Sequence, residues 1–194
     1  MRKGKRREKG KVAGKYFIAL LPLVLVIGVV VFMLTSQQSS QPLQTGTGPG
    51  RIAPDFTLNV ITSSGLTPER LSLSTLRGKV VLLDFVLSWC PHCNSMEPTL
   101  KRLYNDFRPY NVEFVTIAGD DERTDEDQTA AFVARHSIPW KVVFDQRLEV
   151  FARYNVQGTP TYYVVDSDGT IVGNLVGSQT YESLAALIRR ALNN

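Results

Sequence analysis

The chain has 194 residues, 43% of them apolar and 21% charged, with a formal charge of +4 and a pI near 9.1. That size and balance exclude a wholly disordered chain and allow one ordinary domain with additions. Two cysteines and two histidines exclude a disulfide-stapled miniature fold, and are too few for a four-cysteine zinc site or an iron–sulfur cluster.

The charge is concentrated at one end. Residues 1–15 hold eight Lys or Arg and one acid, Glu8, which makes this segment +7 and leaves −3 for residues 16–194. The basic pI belongs to a short tail and gives little support to nucleic-acid binding. Residues 16–34, YFIALLPLVLVIGVVVFML, run for 19 positions without a charge. As a helix they rise roughly 28 Å, about the hydrocarbon thickness of a bilayer. Pro22 and Gly28 are tolerated in a membrane helix, whereas a soluble helix would show a polar face. No small-x-small cleavage pattern and no lipid-attachment cysteine follows Leu34, so the expectation is an uncleaved transmembrane helix. The flanking Lys and Arg stay inside, which places a basic tail (1–15) in the cytoplasm and the rest outside a single-pass cell membrane protein. Residues 35–50, TSQQSSQPLQTGTGPG, carry no charge and read as a flexible linker.

Residues 51–194 form the expected domain, without internal repeats. Phe56–Leu58 and Leu71–Leu73 are short strand candidates. Val80–Val86 is a continuous Val/Leu-rich run suited to a strand buried on both faces. Met96, Leu100, Leu103, Tyr104 and Phe107 recur at helical spacing over Asn94–Phe107. Val112–Ala118 reads as a second buried strand and Gln128–His136 as a helix. Asp120, Asp121, Glu122, Asp125, Glu126 and Asp127 gather near that helix start, where acids complement the dipole. Trp140–Phe144 is a strand and Leu148–Tyr154 a short helix. Thr161–Val165 and Ile171–Val176 are strands joined by the turn Asp166-Ser167-Asp168-Gly169, and Tyr181–Leu192 is a closing amphipathic helix. This order specifies an α/β domain with a mixed sheet.

Trp89-Cys90-Pro91-His92-Cys93 stands between the first long strand and the helix after it. Cys90 falls at the helix N-terminus, where the dipole and free N–H groups favour a thiolate. Cys93 lies one turn on, and Pro91 fits the first turn, where no N–H is needed. Such a dithiol can cycle, with Cys90 attacking a partner disulfide and Cys93 resolving the mixed disulfide. The competing readings are a lone structural disulfide and a zinc site. Zinc lacks ligands, because only His92 and His136 are available and His92 lies inside the loop. No metal is expected.

Together these features resemble the thioredoxin superfamily, and more narrowly its TlpA/ResA-type membrane-anchored thiol-disulfide oxidoreductases. The resemblance covers about residues 52–192. It is carried by Ala53-Pro54-Asp55-Phe56, Leu76-Arg77-Gly78-Lys79-Val80-Val81-Leu82, the WCxxC at Trp89–Cys93, Pro98, and Gly158-Thr159-Pro160-Thr161. It implies a thioredoxin-like α/β fold, a central mixed β-sheet flanked by helices, preceded by one N-terminal transmembrane helix. It implies a cis Thr159–Pro160 bond in a loop against the disulfide, with the Thr159 backbone pairing to an extended substrate. Asp84, six residues before Cys90 in an apolar strand, corresponds to a buried aspartate that takes the proton from Cys93. The alternative for Asp84 is a solvent-facing strand position. Trp89, Pro91, Thr159 and Pro160 are the implied substrate-contacting residues.

Two positions depart from the subgroup. Many members carry a glutamate three residues after the second cysteine. Here that residue is Met96, with Glu97 one position later, about 100° around the helix, and Glu97 is expected on plain helix surface. His92 makes the loop CPHC, the motif of strongly oxidising DsbA-type proteins, and is expected to stabilise the Cys90 thiolate; the alternative is a merely solvent-exposed imidazole. The expected function is an extracytoplasmic thiol-disulfide oxidoreductase with no cofactor beyond the Cys90–Cys93 disulfide. Its partners are protein thiols or disulfides, with apocytochrome c among the candidates, and a membrane electron carrier. The alternatives are a DsbA-like oxidase, a peroxiredoxin-like peroxidase or a non-catalytic binding module. The peroxidase reading meets Leu87 where that group needs Thr or Ser, three residues before the cysteine.

Overall fold

The computed structural model describes residues 46–194. The basic tail and the apolar segment at 16–34 lie outside the described residues, as does most of the linker segment. Among the described residues no helix is long and apolar enough to cross a membrane. The Gly46 N–H already donates to the Ile52 carbonyl, and the Gly50 N–H to that of Ile171. Contacts with the domain therefore begin within the segment read as linker.

The elements follow in the order β1 (Thr57–Thr62), β2 (Gly65–Ser72), β3 (Val80–Val86), α1 (Pro91–Phe107), β4 (Val112–Gly119), α2 (Glu126–His136), β5 (Lys141–Asp145), α3 (Glu149–Arg153), β6 (Thr161–Val165), β7 (Ile171–Val176) and α4 (Tyr181–Leu192). One seven-stranded sheet runs β2-β1-β5-β4-β3-β6-β7. β3, β4 and β5 are parallel, and the remaining neighbours pair antiparallel. All seven residues of β3 are buried, as its unbroken apolar run requires of a strand covered on both faces. This is the mixed sheet flanked by helices that the resemblance implies.

The first two strands differ from expectation. They are longer than Phe56–Leu58 and Leu71–Leu73, and they form a hairpin on the sheet edge, with β1 against β5. Their polar residues conceal them in sequence. β2, GLTPERLS, is half exposed and nowhere fully buried, as an edge strand with a proline and charges is. Leu73 leaves the strand for a single 3₁₀ turn, Leu73–Leu76.

Side-chain alternation along β3 sorts its residues between two cores. Val81, Leu83 and Phe85 pack with Phe151, Tyr154 and Tyr163 on the α3 side. Leu82 packs with Met96, Leu100, Leu103 and Tyr162 under α1 and α4. Asp84, two residues on from Leu82, therefore points towards α1. It lies opposite Thr116 of β4 and Tyr162 of β6. A third cluster holds Val86, Cys90 and Cys93 against Ala130, Phe132 and Val133 of α2. The redox pair is thus seated where β3 ends, between α1 and α2.

Candidate active site

Cys90 is the N-cap of α1, in extended conformation, with Pro91 in the first turn. Its Sγ accepts the Cys93 backbone N–H at 3.3 Å, and its thiol donates to the Thr159 carbonyl at 3.3 Å. Both cysteines are free thiols. Burial alone would push the Cys90 thiol up. Hydrogen bonds with the Cys93 and Thr159 side chains and with the backbone N–H groups of Cys93 and His92 outweigh it and hold the thiol below its ordinary value. Cys93 is opposite in character. Burial first, then its hydrogen bond to Cys90 and the charge of Asp84, push its thiol far up. One cysteine is prepared as a thiolate, and the other keeps its proton until a base removes it.

Asp84 lies at the base of the site and is 2% exposed, which decides between its two readings in favour of burial. Burial, then the neighbouring Glu97, raises its carboxyl well above the usual range. Its Oδ2 faces the Thr116 hydroxyl at 3.4 Å, while the Thr116 oxygen accepts the Trp140 indole N–H at 2.9 Å. The indole occupies an acceptor lone pair of Thr116 and so directs the hydroxyl hydrogen towards Asp84.

Glu97 is corrected by the structure. It is 1% exposed, not on the helix surface. The reason is helical geometry. Cys93, Met96, Glu97, Leu100 and Leu103 form one inward stripe, and both the i+3 and i+4 positions lie on the face of residue i. Burial raises the Glu97 carboxyl to about 7, against a smaller opposing pull from Lys101. Among the described residues, Asp84 Oδ1, both Glu97 oxygens and the Tyr162 hydroxyl are buried without a hydrogen-bond partner. The charges of Asp84, Cys93 and Glu97 all act on Tyr162. Two carboxyl groups and a phenol are therefore buried under the helix that carries Cys93, and of the carboxyls Asp84 acts on the Cys93 thiol. Tyr162 and Thr116 escaped the sequence reading, because only the strand register brings them to Asp84.

The remaining expected residues sit around the mouth. Thr159–Pro160 is cis, and the Thr159 carbonyl faces the Cys90 thiol. Pro91 and His92 are exposed; the His92 Nδ1 lies 3.2 Å from the Ser178 hydroxyl, and its backbone N–H serves Cys90. Trp89 is 37% exposed. Its indole N–H is 3.2 Å from both carboxylate oxygens of Asp121, and the Arg123 guanidinium lies 3.3 Å over its ring. The acidic run before α2 thus has two uses. Asp125 caps the helix by accepting the Gln128 N–H at 2.8 Å, whereas Asp121 holds Trp89. Among the described residues no group of three or more His, Cys, Asp or Glu could hold a metal ion.

A model of the AhpC/TSA family matches residues 49–173. The chain is 29% identical over 141 residues to the thiol-disulfide oxidoreductase ResA of Bacillus cereus, covering 73% of this chain and 77% of that one. It is 28% identical over 170 residues to the thioredoxin-like protein YneN of Bacillus subtilis, covering 88% and 95%. The fold superposes on the crystal structure of a Chlorobium tepidum protein assigned as thiol:disulfide interchange protein DsbE. There the TM-score is 0.68 and the identity 27%, over 76% of this chain and 99% of that one.

Proposed function

The chain belongs to the AhpC/TSA family and is a thiol-disulfide oxidoreductase of ResA/DsbE type, and from that premise we propose that it is anchored in the cell membrane and works on extracytoplasmic proteins through Cys90 and Cys93. The observation that carries the mechanism is the asymmetry of the two thiols. Cys90 is activated at a helix N-terminus, while Cys93 is buried with the Asp84 carboxyl acting on it.

In the reducing direction the Cys90 thiolate attacks a substrate disulfide. A mixed disulfide forms and the first substrate sulfur leaves as a thiolate. Cys93 then gives its proton to the Asp84–Glu97 pair and attacks Cys90 Sγ. The second substrate sulfur leaves, and Cys90–Cys93 closes as a disulfide. Two electrons pass from the dithiol to the substrate, and two protons follow. The oxidising direction is the same path reversed. Asp84, with Glu97 beside it, is the proton acceptor, Trp89, Pro91, Thr159 and Pro160 border the substrate, and the His92 backbone N–H supports Cys90. Apocytochrome c is a substrate candidate, a membrane electron carrier resets the pair, and no other cofactor is invoked.

The second reading is a DsbA-like oxidase. The lowered Cys90 thiol favours it, because a stabilised thiolate stabilises the reduced form and makes the disulfide more oxidising. The reduction potential of Cys90–Cys93, set against glutathione and read by alkylation, separates the two. A value near about −270 mV is expected for a reductase, and one near about −120 mV would replace that reading by the oxidase.

The anchor has its own test. Full-length protein expressed in bacteria is expected in the membrane fraction, with Cys90 labelled by an impermeant maleimide in intact spheroplasts. Removal of residues 1–45 should release a soluble domain. Recovery of the full-length chain from the cytosol would overturn the membrane assignment.

A further inference from the structure

We propose that Asn94, directly after the redox pair, is a positioning residue that fixes the Cys90 nucleophile from α2. Its Nδ2 donates to the Cys90 carbonyl at 2.7 Å and to the Ser88 carbonyl at 3.3 Å. Its backbone N–H reaches the same Cys90 carbonyl at 3.1 Å. Its Oδ1 accepts from His136 Nε2 at 2.7 Å and from Arg135 Nη1 at 3.2 Å, both in the last turn of α2. The amide can point only one way. Turned over, it would set its NH₂ against a cation and its oxygen against two carbonyls. An Oδ1 acceptor also requires the proton on His136 Nε2, and that ring is packed on Phe132 at 4.7 Å between centroids.

The consequence for the thiol is geometric. The ψ angle of Cys90, 118°, is set by where its carbonyl points, and Asn94 holds that carbonyl twice. The same ψ puts the Cys93 N–H on Cys90 Sγ at 3.3 Å, one of the bonds that favours the thiolate. Asn94 therefore transmits the position of α2 to the reacting sulfur without touching it. Small misplacement of a reacting group is expensive in rate.

This inference rests on Cys90 being the nucleophile, and its test reads the sulfur itself. Reduced full-length protein with Cys93→Ser carries one thiol, whose ionisation is followed at 240 nm and whose iodoacetamide alkylation is timed at pH 7. In that background Asn94→Ala should slow alkylation about tenfold and move the thiolate midpoint upwards. Asn94→Asp, which turns an acceptor towards two carbonyls, should do more. The double change Arg135→Ala with His136→Ala leaves the Asn94 donors in place and should produce a smaller shift of the same sign. Lower thermal stability with unchanged alkylation and midpoint in Asn94→Ala would reduce Asn94 to a helix staple. If that variant fails to fold, an unchanged thiolate in the Arg135/His136 pair overturns the proposal by itself. Failure of the oxidoreductase reading looks different: turnover is absent while the wild-type thiolate titrates low.

Discussion

Cys90→Ser lowers insulin-disulfide reduction to the buffer rate, a loss of more than about a thousandfold, while Cys93→Ser leaves the first attack intact and accumulates mixed disulfides. The two variants differ because the sulfurs differ. Cys90 heads α1 with backbone N–H groups on its Sγ, and its thiol is held low. A serine hydroxyl in that place does not ionise near neutral pH, so no nucleophile forms. Cys93 lies one turn into the helix with its thiol pushed far up, so it acts after Cys90, whose Sγ its own N–H already contacts. Removing it leaves a competent attacker with no internal route of release. Non-reducing gels after incubation with a disulfide substrate, beside turnover assays, check both halves. Retained turnover in Cys90→Ser would remove the mechanism, and absence of trapped adducts in Cys93→Ser would move resolution elsewhere.

The parts of this site that were legible in the sequence are those fixed by local geometry. A two-residue gap between cysteines at a strand-to-helix junction determines their relation whatever the rest of the chain does. Val80–Val86 and Thr161–Val165 were equally visible, because buried central strands are written as continuous apolar runs. The edge hairpin was shortened because exposed strands carry little apolar signal. Glu97 was displaced by comparing it with a family position instead of with its own helix, whose inward stripe Cys93, Met96, Leu100 and Leu103 already includes the place it occupies. Tyr162 and Thr116 could not be found by spacing. Their approach to Asp84 depends on β3 pairing with β6 and β4 in one register, and a shift of one residue would turn either side chain to the other face. Asp121 was hidden differently, since an acid before a helix has a sufficient explanation in the dipole.

Glu97→Gln should stabilise the reduced protein and slow its resolving step, and the pH dependence of the first effect identifies its cause. In the folded chain the Glu97 carboxyl titrates at about 7 because it is buried, against an ordinary 4.5 when exposed. The folded state therefore holds a proton that the unfolded state has released. Glu97 contributes its full share of stability below pH 4.5, and loses it as pH rises towards 7, where a buried charge must form. Glutamine cannot ionise, so the variant should match the parent at pH 4 and exceed it by about 3 kcal/mol at pH 8. Asp84, also raised and close enough to feel Glu97, adds a loss of the same sign in the parent. Chemistry runs the other way. A glutamine leaves Asp84 alone to accept the Cys93 proton, and release of the mixed disulfide should slow by about tenfold. In Asp84→Asn with Glu97→Gln it should slow by about a hundredfold or more, since no base remains beside a thiol pushed far up. Urea unfolding at the two pH values and stopped-flow release of a thiol leaving group measure the two effects separately. A stability difference independent of pH would show that Glu97 is charged, or solvated, in the folded protein. With the predicted pH dependence present, an unchanged release rate would confine Glu97 to a structural cost and return proton removal to Asp84 alone.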